Sequence, residues 1–199
     1  GLSLGTRFEF YDDIDFGIGI NSFYEKIHTD NSASALQKAQ KGNYFDNFLK
    51  LEFDNDKRNQ RFQPSEGYRV LYQTDIPLIS DSNTFSNVIS YSKYNDIFEK
   101  NILKSSFYFK SSNSITGDNI KLSERINIPS SRLRGFEYGK VGPKDGSDYV
   151  GGNFVSAINF SSTLPQFLEN SQTTDFTIFL DMANVCLLYT SDAADEASS

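Results

Sequence analysis

A chain of 199 residues, 38% hydrophobic and 23% charged with a net charge of −7, has the size of one domain or a large part of one. Its acidic balance argues against a general nucleic-acid binder, which needs a basic surface. No run approaches the ~18 consecutive apolar residues of a membrane-spanning helix, but a transmembrane strand faces lipid with every second residue only, so composition leaves a membrane barrel open.

Period-two alternation, the signal of a strand, begins at once. Leu2, Leu4, Phe8 and Phe10 alternate with Ser3, Gly5, Arg7 and Glu9. Ile14, Phe16, Ile18, Ile20 and Tyr24 alternate with Asp15, Gly17, Gly19, Asn21 and Glu25. Phe45, Leu49, Leu51 and Phe53 alternate with Asp46, Lys50, Glu52 and Asp54. Val70, Tyr72 and Ile76 are set against Arg69, Gln73 and Asp75. Residues 85–95 and 102–111 are less regular strands, with Phe107 and Phe109 on the apolar face of the second. Phe154, Ile158, Phe160 and Leu164 alternate with Asn153, Ala157, Asn159 and Ser161. Last, Phe176, Ile178, Leu180 and Met182 alternate with Asp175, Thr177, Phe179 and Asp181.

The reading is eight antiparallel strands of about ten residues each. The connections fall on two sides. Residues 11–13, 58–67, 95–101 and 165–173 are the short side, and residues 29–43, 79–84 and 115–150 the long side. Within 58–67, RNQRFQPSEG carries turn residues in its Pro-Ser-Glu-Gly.

Two architectures share this pattern. In a soluble sandwich the apolar faces would meet in a core, burying Phe154, Ile158 and Phe160 against a second sheet. In a transmembrane barrel they would face lipid. Strand length, the alternation of short and long connections, and aromatics near strand ends favour the barrel. So does the charge of the opposite face: Arg7, Glu9, Lys50, Glu52, Arg69 and Asp75.

One loop stands apart. Arg132 to Asp148, RLRGFEYGKVGPKDGSD, has two arginines, four glycines and a proline among its aromatics. Leu133-Arg134-Gly135-Phe136 resembles the (V/I)-R-G-(F/Y) motif of the BamA-type outer-membrane assembly and transport barrels, the surface-antigen or BamA–TamA superfamily. In that family the motif lies at the tip of a long loop folded into the lumen, and its Arg meets an Asp of an F-x-D motif on a later strand. The matching element is Phe179-Leu180-Asp181, with Asp181 on the polar face. Gly142-Pro143, in KVGPKDGSDYVGGN with Gly151 and Gly152, resembles the run after the loop motif. Asp56 to Gly67, DKRNQRFQPSEG, resembles a periplasmic turn with its Asp56, Arg58, Phe62, Pro64 and Gly67.

The resemblance covers residues 1–185. It implies a partial antiparallel transmembrane β-barrel, about strands six to thirteen of a sixteen-stranded parent. Arg134 is then expected to grip Asp181 through paired hydrogen bonds, Gly135 to allow a tight turn or a close approach, and Phe136 to pack against lumen side chains. The implied function is insertion and folding of β-barrel proteins in the outer membrane of a Gram-negative bacterium. Expected partners are the bilayer, unfolded outer-membrane proteins and accessory assembly lipoproteins of the full-length parent, with no nucleic acid. A two-partner-secretion or TamA-like translocation barrel is the alternative within the family, and a passive diffusion porin the alternative outside it.

The start at Gly1, directly in a strand pattern, reads as a piece of something longer. Cys186 to Glu196, CLLYTSDAADE, matches one reading frame of a transposase adapter used in sequencing libraries. Residues 186–199 are therefore expected to be a non-native tail, and the single Cys186 carries no thiol chemistry.

Other features carry less. His28 reads as a surface residue. Asp12, Asp13 and Asp15, like Asp145 and Asp148, lack the ligand spacing of a calcium loop and read as solvated turns. Ser32 to Gln40 reads as a short loop helix. There is no nucleotide loop, no Ser/His/Asp set and no cysteine metal site. The expectation is a non-enzymatic protein without a cofactor.

Overall fold

The structure, a computed structural model, describes residues 1–30, 35–98, 101–117, 120–164 and 176–188. In chain order the elements are β1 (Leu2–Tyr11), β2 (Ile14–Ile27), α1 (Ala35–Ala39), β3 (Gly42–Asp56), β4 (Gly67–Pro77), β5 (Thr84–Phe98), β6 (Asn101–Ser114), a 3-10 turn (Leu122–Glu124), β7 (Lys144–Asp145), β8 (Asp148–Tyr149), β9 (Phe154–Leu164) and β10 (Phe176–Cys186).

Eight strands form one antiparallel sheet in the order β1-β2-β3-β4-β5-β6-β9-β10, and β7 with β8 makes a separate ribbon. The chain is an all-β, unclosed part of a barrel. β6 and β9 pair directly, so the whole segment between them leaves the sheet and returns to its next position. The 3-10 turn, β7 and β8 all lie in this long loop.

Register decides what each face becomes. Phe8, Phe16, Phe53, Tyr72, Ile89 and Phe109 lie opposite one another across six successive strands, and the Phe8 and Phe16 rings are 5.6 Å apart. Such cross-strand pairs hold a sheet together. The outward row stays open: Ile158 is 42% and Phe160 39% exposed. Among the described residues no second sheet covers them, which overturns the sandwich. The inward row through the same level is Arg7, Gly17, Glu52, Gln73, Val88, Lys110, Val155 and Val185.

Several strands outrun the expected ten residues. β3 and β5 have 15, and β2 and β6 have 14. Pairing carries on past the apolar stretch, because backbone hydrogen bonds do not depend on which side chains flank them. The expected connection 95–101 shrinks accordingly, with β5 running to Phe98 and β6 resuming at Asn101. The connection 165–173 and the end of the chain from 189 lie outside the described residues. The expected tail begins within ordered structure: β10 includes Cys186, and Leu188 exchanges hydrogen bonds with Asn153 at 2.7 and 2.8 Å.

The buried apolar cluster is small: Ile126, Ile128, Leu133, Val155, Ala157 and Val185. Three of these belong to the long loop and three to β9 and β10. The core therefore sits between the loop and the inward wall.

Candidate functional site

β9 and β10 supply the wall of the site. Their register sets Asp181 directly opposite Asn159, and the alternation brings Phe179 to the same inward face. The long loop supplies the rest. A turn closed by the Arg132 N–H on the Pro129 carbonyl, 2.8 Å, delivers three consecutive residues in three directions.

Arg134 goes to β10. Its Nε donates to Asp181 Oδ2 at 2.7 Å, its Nη2 to Oδ1 at 2.6 Å, and its backbone N–H to Oδ2 at 3.0 Å. The guanidinium also lies 3.7 Å from the centroid of the Phe179 ring. The planar fork matches the carboxylate in two parallel bonds, while the ring face takes the cation from one side. The Asp181 side chain is only 4% exposed, so water competes little for it.

Leu133 goes to the apolar cluster and is buried. Arg132 goes the other way, to β5 and β6. Its Nη2 donates to Ser90 Oγ at 2.8 Å, and its guanidinium stands 5.0 Å from the Tyr108 ring centroid. Burial pushes its pKa below the ordinary arginine value. Arg134, bonded to Asp181, is raised above it.

Asn159 joins the halves. Its Nδ2 donates to the Arg132 carbonyl at 2.7 Å and to Asp181 Oδ1 at 2.9 Å. The sequence placed Asn159 on the polar face and went no further. Only the register opposite Asp181 gives it a role.

One expectation at the tip needs correction. Phe136 does not pack inside: it is 59% exposed. Of the two roles expected for Gly135 the structure selects the tight turn, since a Cβ there would meet nothing within 4 Å. Its φ of +85° turns the chain away from the wall just after Arg134, and that turn carries Phe136 outward. Leu133 does the packing instead.

Beyond the tip, Gly142 lies against the wall at φ +120°, where a Cβ would come within 2.8 Å of Val185 Cγ1. The Pro143 carbonyl accepts from the Val150 N–H at 3.0 Å. Gly151 and Gly152 follow, and Gly152 exchanges backbone bonds with Ile126 at 2.8 and 2.9 Å. The loop's two limbs are thus tied to each other before β9 begins.

The turn between β3 and β4 is a separate, well-bonded unit. Arg58 donates to both oxygens of Asp56 at 2.6 Å, which raises the Arg58 pKa. Asn59 Oδ1 caps the N–H groups of Ser65 and Glu66 at 3.2 and 3.3 Å. Gly67 has φ +91°, Phe62 is exposed, and Pro64 lines a cavity with Gln60, Gln63, Tyr94 and Lys104.

Next to that turn lies an ion-pair network that the sequence did not single out. Asp54, nearly buried, is held by Arg7 and by Arg69, the latter at 2.8 and 2.6 Å. Arg7 reaches Glu52 at 3.1 Å and Asp15 at 3.2 Å. Asp15 is therefore an ion-pair partner rather than a solvated turn residue. Asp13 does take a turn conformation, at φ +65°, and Asp145 and Asp148 pair across the β7–β8 ribbon. His28 is exposed beside a cavity of about 600 Å³ near α1. Among the described residues no group of three or more His, Cys, Asp or Glu could hold a metal ion.

Comparison with known proteins follows the same lines. Residues 1–199 match the Omp85 superfamily domain. No curated protein matches the chain. Among solved structures, BamA from Haemophilus ducreyi lacking POTRA domains 1–3 is similar, with a TM-score of 0.83 at 16% identity. The match covers 99% of this chain and 43% of that one, so the chain spans less than half the length of this structural relative.

Proposed function

The chain belongs to the Omp85 superfamily, and from that premise we propose that it is part of the wall of an outer-membrane barrel that inserts and folds other β-barrel proteins. The observation that carries the proposal is the loop tip held on the inner wall, with Arg134 in three hydrogen bonds to Asp181. A passive diffusion pore needs a clear lumen. A brace fastened across the inner wall serves a barrel whose work is done by the wall itself.

The physics of the two faces supports the membrane setting. The outward row is apolar and open to its surroundings, while the inward row carries Arg7, Glu52 and Asp54 in ion pairs. Lipid on one side and an aqueous lumen on the other satisfy both. The proposed location is the outer membrane of a Gram-negative bacterium. The partners are the bilayer, unfolded outer-membrane proteins and, in the parent, accessory lipoproteins. Assembly in this scheme needs no cofactor and no enzymatic step: a substrate strand pairs with an exposed edge of the barrel.

The test is replacement. Residues 1–185 are exchanged for the corresponding barrel segment of an assembly factor in cells depleted of their own, and folding of a porin is followed by its heat-modifiable migration on gels. Restored porin folding supports the proposal. A chimera that inserts but only secretes a soluble exoprotein assigns the chain to a translocation barrel instead. A chimera that inserts and merely conducts small solutes assigns it to a pore.

A further inference from the structure

The most deeply buried charge among the described residues lies outside the Arg134 site. Asp46, near the start of β3, is 1% exposed. Ser80 Oγ donates to it at 2.7 Å and the Ser82 N–H at 2.9 Å. Both belong to the neighbouring connection between β4 and β5. The third donor comes from elsewhere: Lys121 of the long loop reaches the two carboxylate oxygens at 3.2 and 3.0 Å. Its ammonium also lies 4.0 Å from the Tyr44 ring centroid, and its side chain is 11% exposed.

Residues around this pair are bonded in the same direction. The Leu122 N–H donates to Gln40 Oε1 at 2.5 Å, and Thr84 Oγ1 donates to Glu124 Oε2 at 2.5 Å. Ile120 is buried. The first limb of the loop is therefore seated on the rim of β3 to β5, and its tip is seated on β5, β6, β9 and β10. In the sheet, β4, β5, β6 and β9 stand between β3 and β10. The chain joining the two seats is not slack, because Ile126 and Ile128 are buried in the core cluster and Ile126 is paired with Gly152.

From this geometry we propose that the long loop is a two-point tie across the barrel wall, with Asp46 and Lys121 as its rim latch, and that latch and tip together fix the curvature of the wall between β3 and β10. Asp46 and Lys121 are positioning residues in this scheme. Separating a buried ion pair leaves an uncompensated charge in the interior and is costly, so lifting the loop from the rim would leave Asp46 with only its Ser80 and Ser82 hydrogen bonds. The wall is then held at both ends of a strut instead of hanging from the tip alone. This rests on the proposed role of the loop as a brace and adds to it a second fixed point.

The experiment measures wall curvature in the chain reconstituted in bilayers. Spin labels are placed at Phe53 of β3 and Ile178 of β10, both exposed on the outward face, in a Cys186→Ser background. Pulsed dipolar spectroscopy then reads the distance between them. The expected result is one narrow peak that Lys121→Met abolishes and Lys121→Arg restores. Asp46→Asn keeps the shape of the buried group, so it decides the matter if Lys121→Met fails to fold, and it too should lose the narrow peak. If Arg134→Ala broadens the peak while Asp46→Asn and Lys121→Arg both leave it unchanged and Lys121→Met does the same, the latch is overturned and the tip anchor stands. If none of these variants changes the distance, the brace itself is overturned.

Discussion

Asn159 and Asp181 face each other across β9 and β10, and the Asn159 amide donates to the carboxylate at 2.9 Å while donating to the Arg132 carbonyl at 2.7 Å. One side chain thus fixes both the acceptor of Arg134 and the backbone two residues before it. Removing a buried hydrogen-bonding partner costs about 1–3 kcal/mol, so Asn159→Ala should lower stability by that order in thermal unfolding followed by circular dichroism in detergent. Asn159→Asp should be worse, because it sets a second carboxylate directly opposite Asp181. Equal losses for the two variants would mean that the added carboxylate does not repel Asp181 beyond the loss of the amide's two hydrogen bonds.

Arg134 and Asp181 should not tolerate conservative replacement. Arg134→Lys keeps the charge but loses the fork and the stacking on Phe179. With Arg134 about one third exposed, solvent moderates the loss, and a destabilisation of about 1–2 kcal/mol is expected. Asp181→Asn should cost at least as much. Limited proteolysis of the loop gives a second reading, and a loop as resistant in both variants as in the parent would contradict the anchor.

Phe179 has a separate share. A cation over an aromatic face contributes roughly 0.5–2 kcal/mol, depending on desolvation. Phe179→Tyr should be neutral and Phe179→Leu should lose about 1 kcal/mol, while in the Arg134→Ala background the same change should lose little. A double-mutant cycle on unfolding free energies measures the difference, and additive losses would show that ring and guanidinium do not act together.

Gly142→Ala should unseat the second limb of the loop. The backbone there is at φ +120°, and the added methyl would meet Val185. The combination of strain and clash points to a loss of about 1–3 kcal/mol. Val185→Ala should relieve part of the clash. A failure of that rescue would leave backbone strain as the whole cause.

The turn after β3 should depend on Arg58. Arg58→Ala removes both bonds to Asp56 and should loosen the exposed segment around Arg61 and Phe62. Trypsin cleavage after Arg61 should become faster, with the sheet intact by heat-modifiability. Unchanged cleavage would assign the rigidity of the turn to the Asn59 caps.

The sequence by itself determined the eight strands of the main sheet and their two faces, since period-two alternation states which face each residue joins; the pairing of Arg134 with Asp181 was implied by the loop's resemblance to a known family, and the two-residue strands β7 and β8 carry no such alternation. It also made the membrane reading possible, because an apolar row opposite a charged row suits lipid on one side only. It did not determine what depends on register between strands far apart in the chain. Asn159 is one polar residue among many until β9 and β10 align it with Asp181. Asp54 becomes an ion-pair centre only when β1, β3 and β4 bring Arg7 and Arg69 to it. Asp46 and Lys121, 75 positions apart, carry no local pattern that joins them. The exchange of roles between Phe136 and Leu133 has the same origin: both are apolar ends of the motif, and only the turn at Gly135 decides which one meets the wall. Alternation is a local property of the backbone, whereas register and loop seating are settled by contacts between distant parts of the chain.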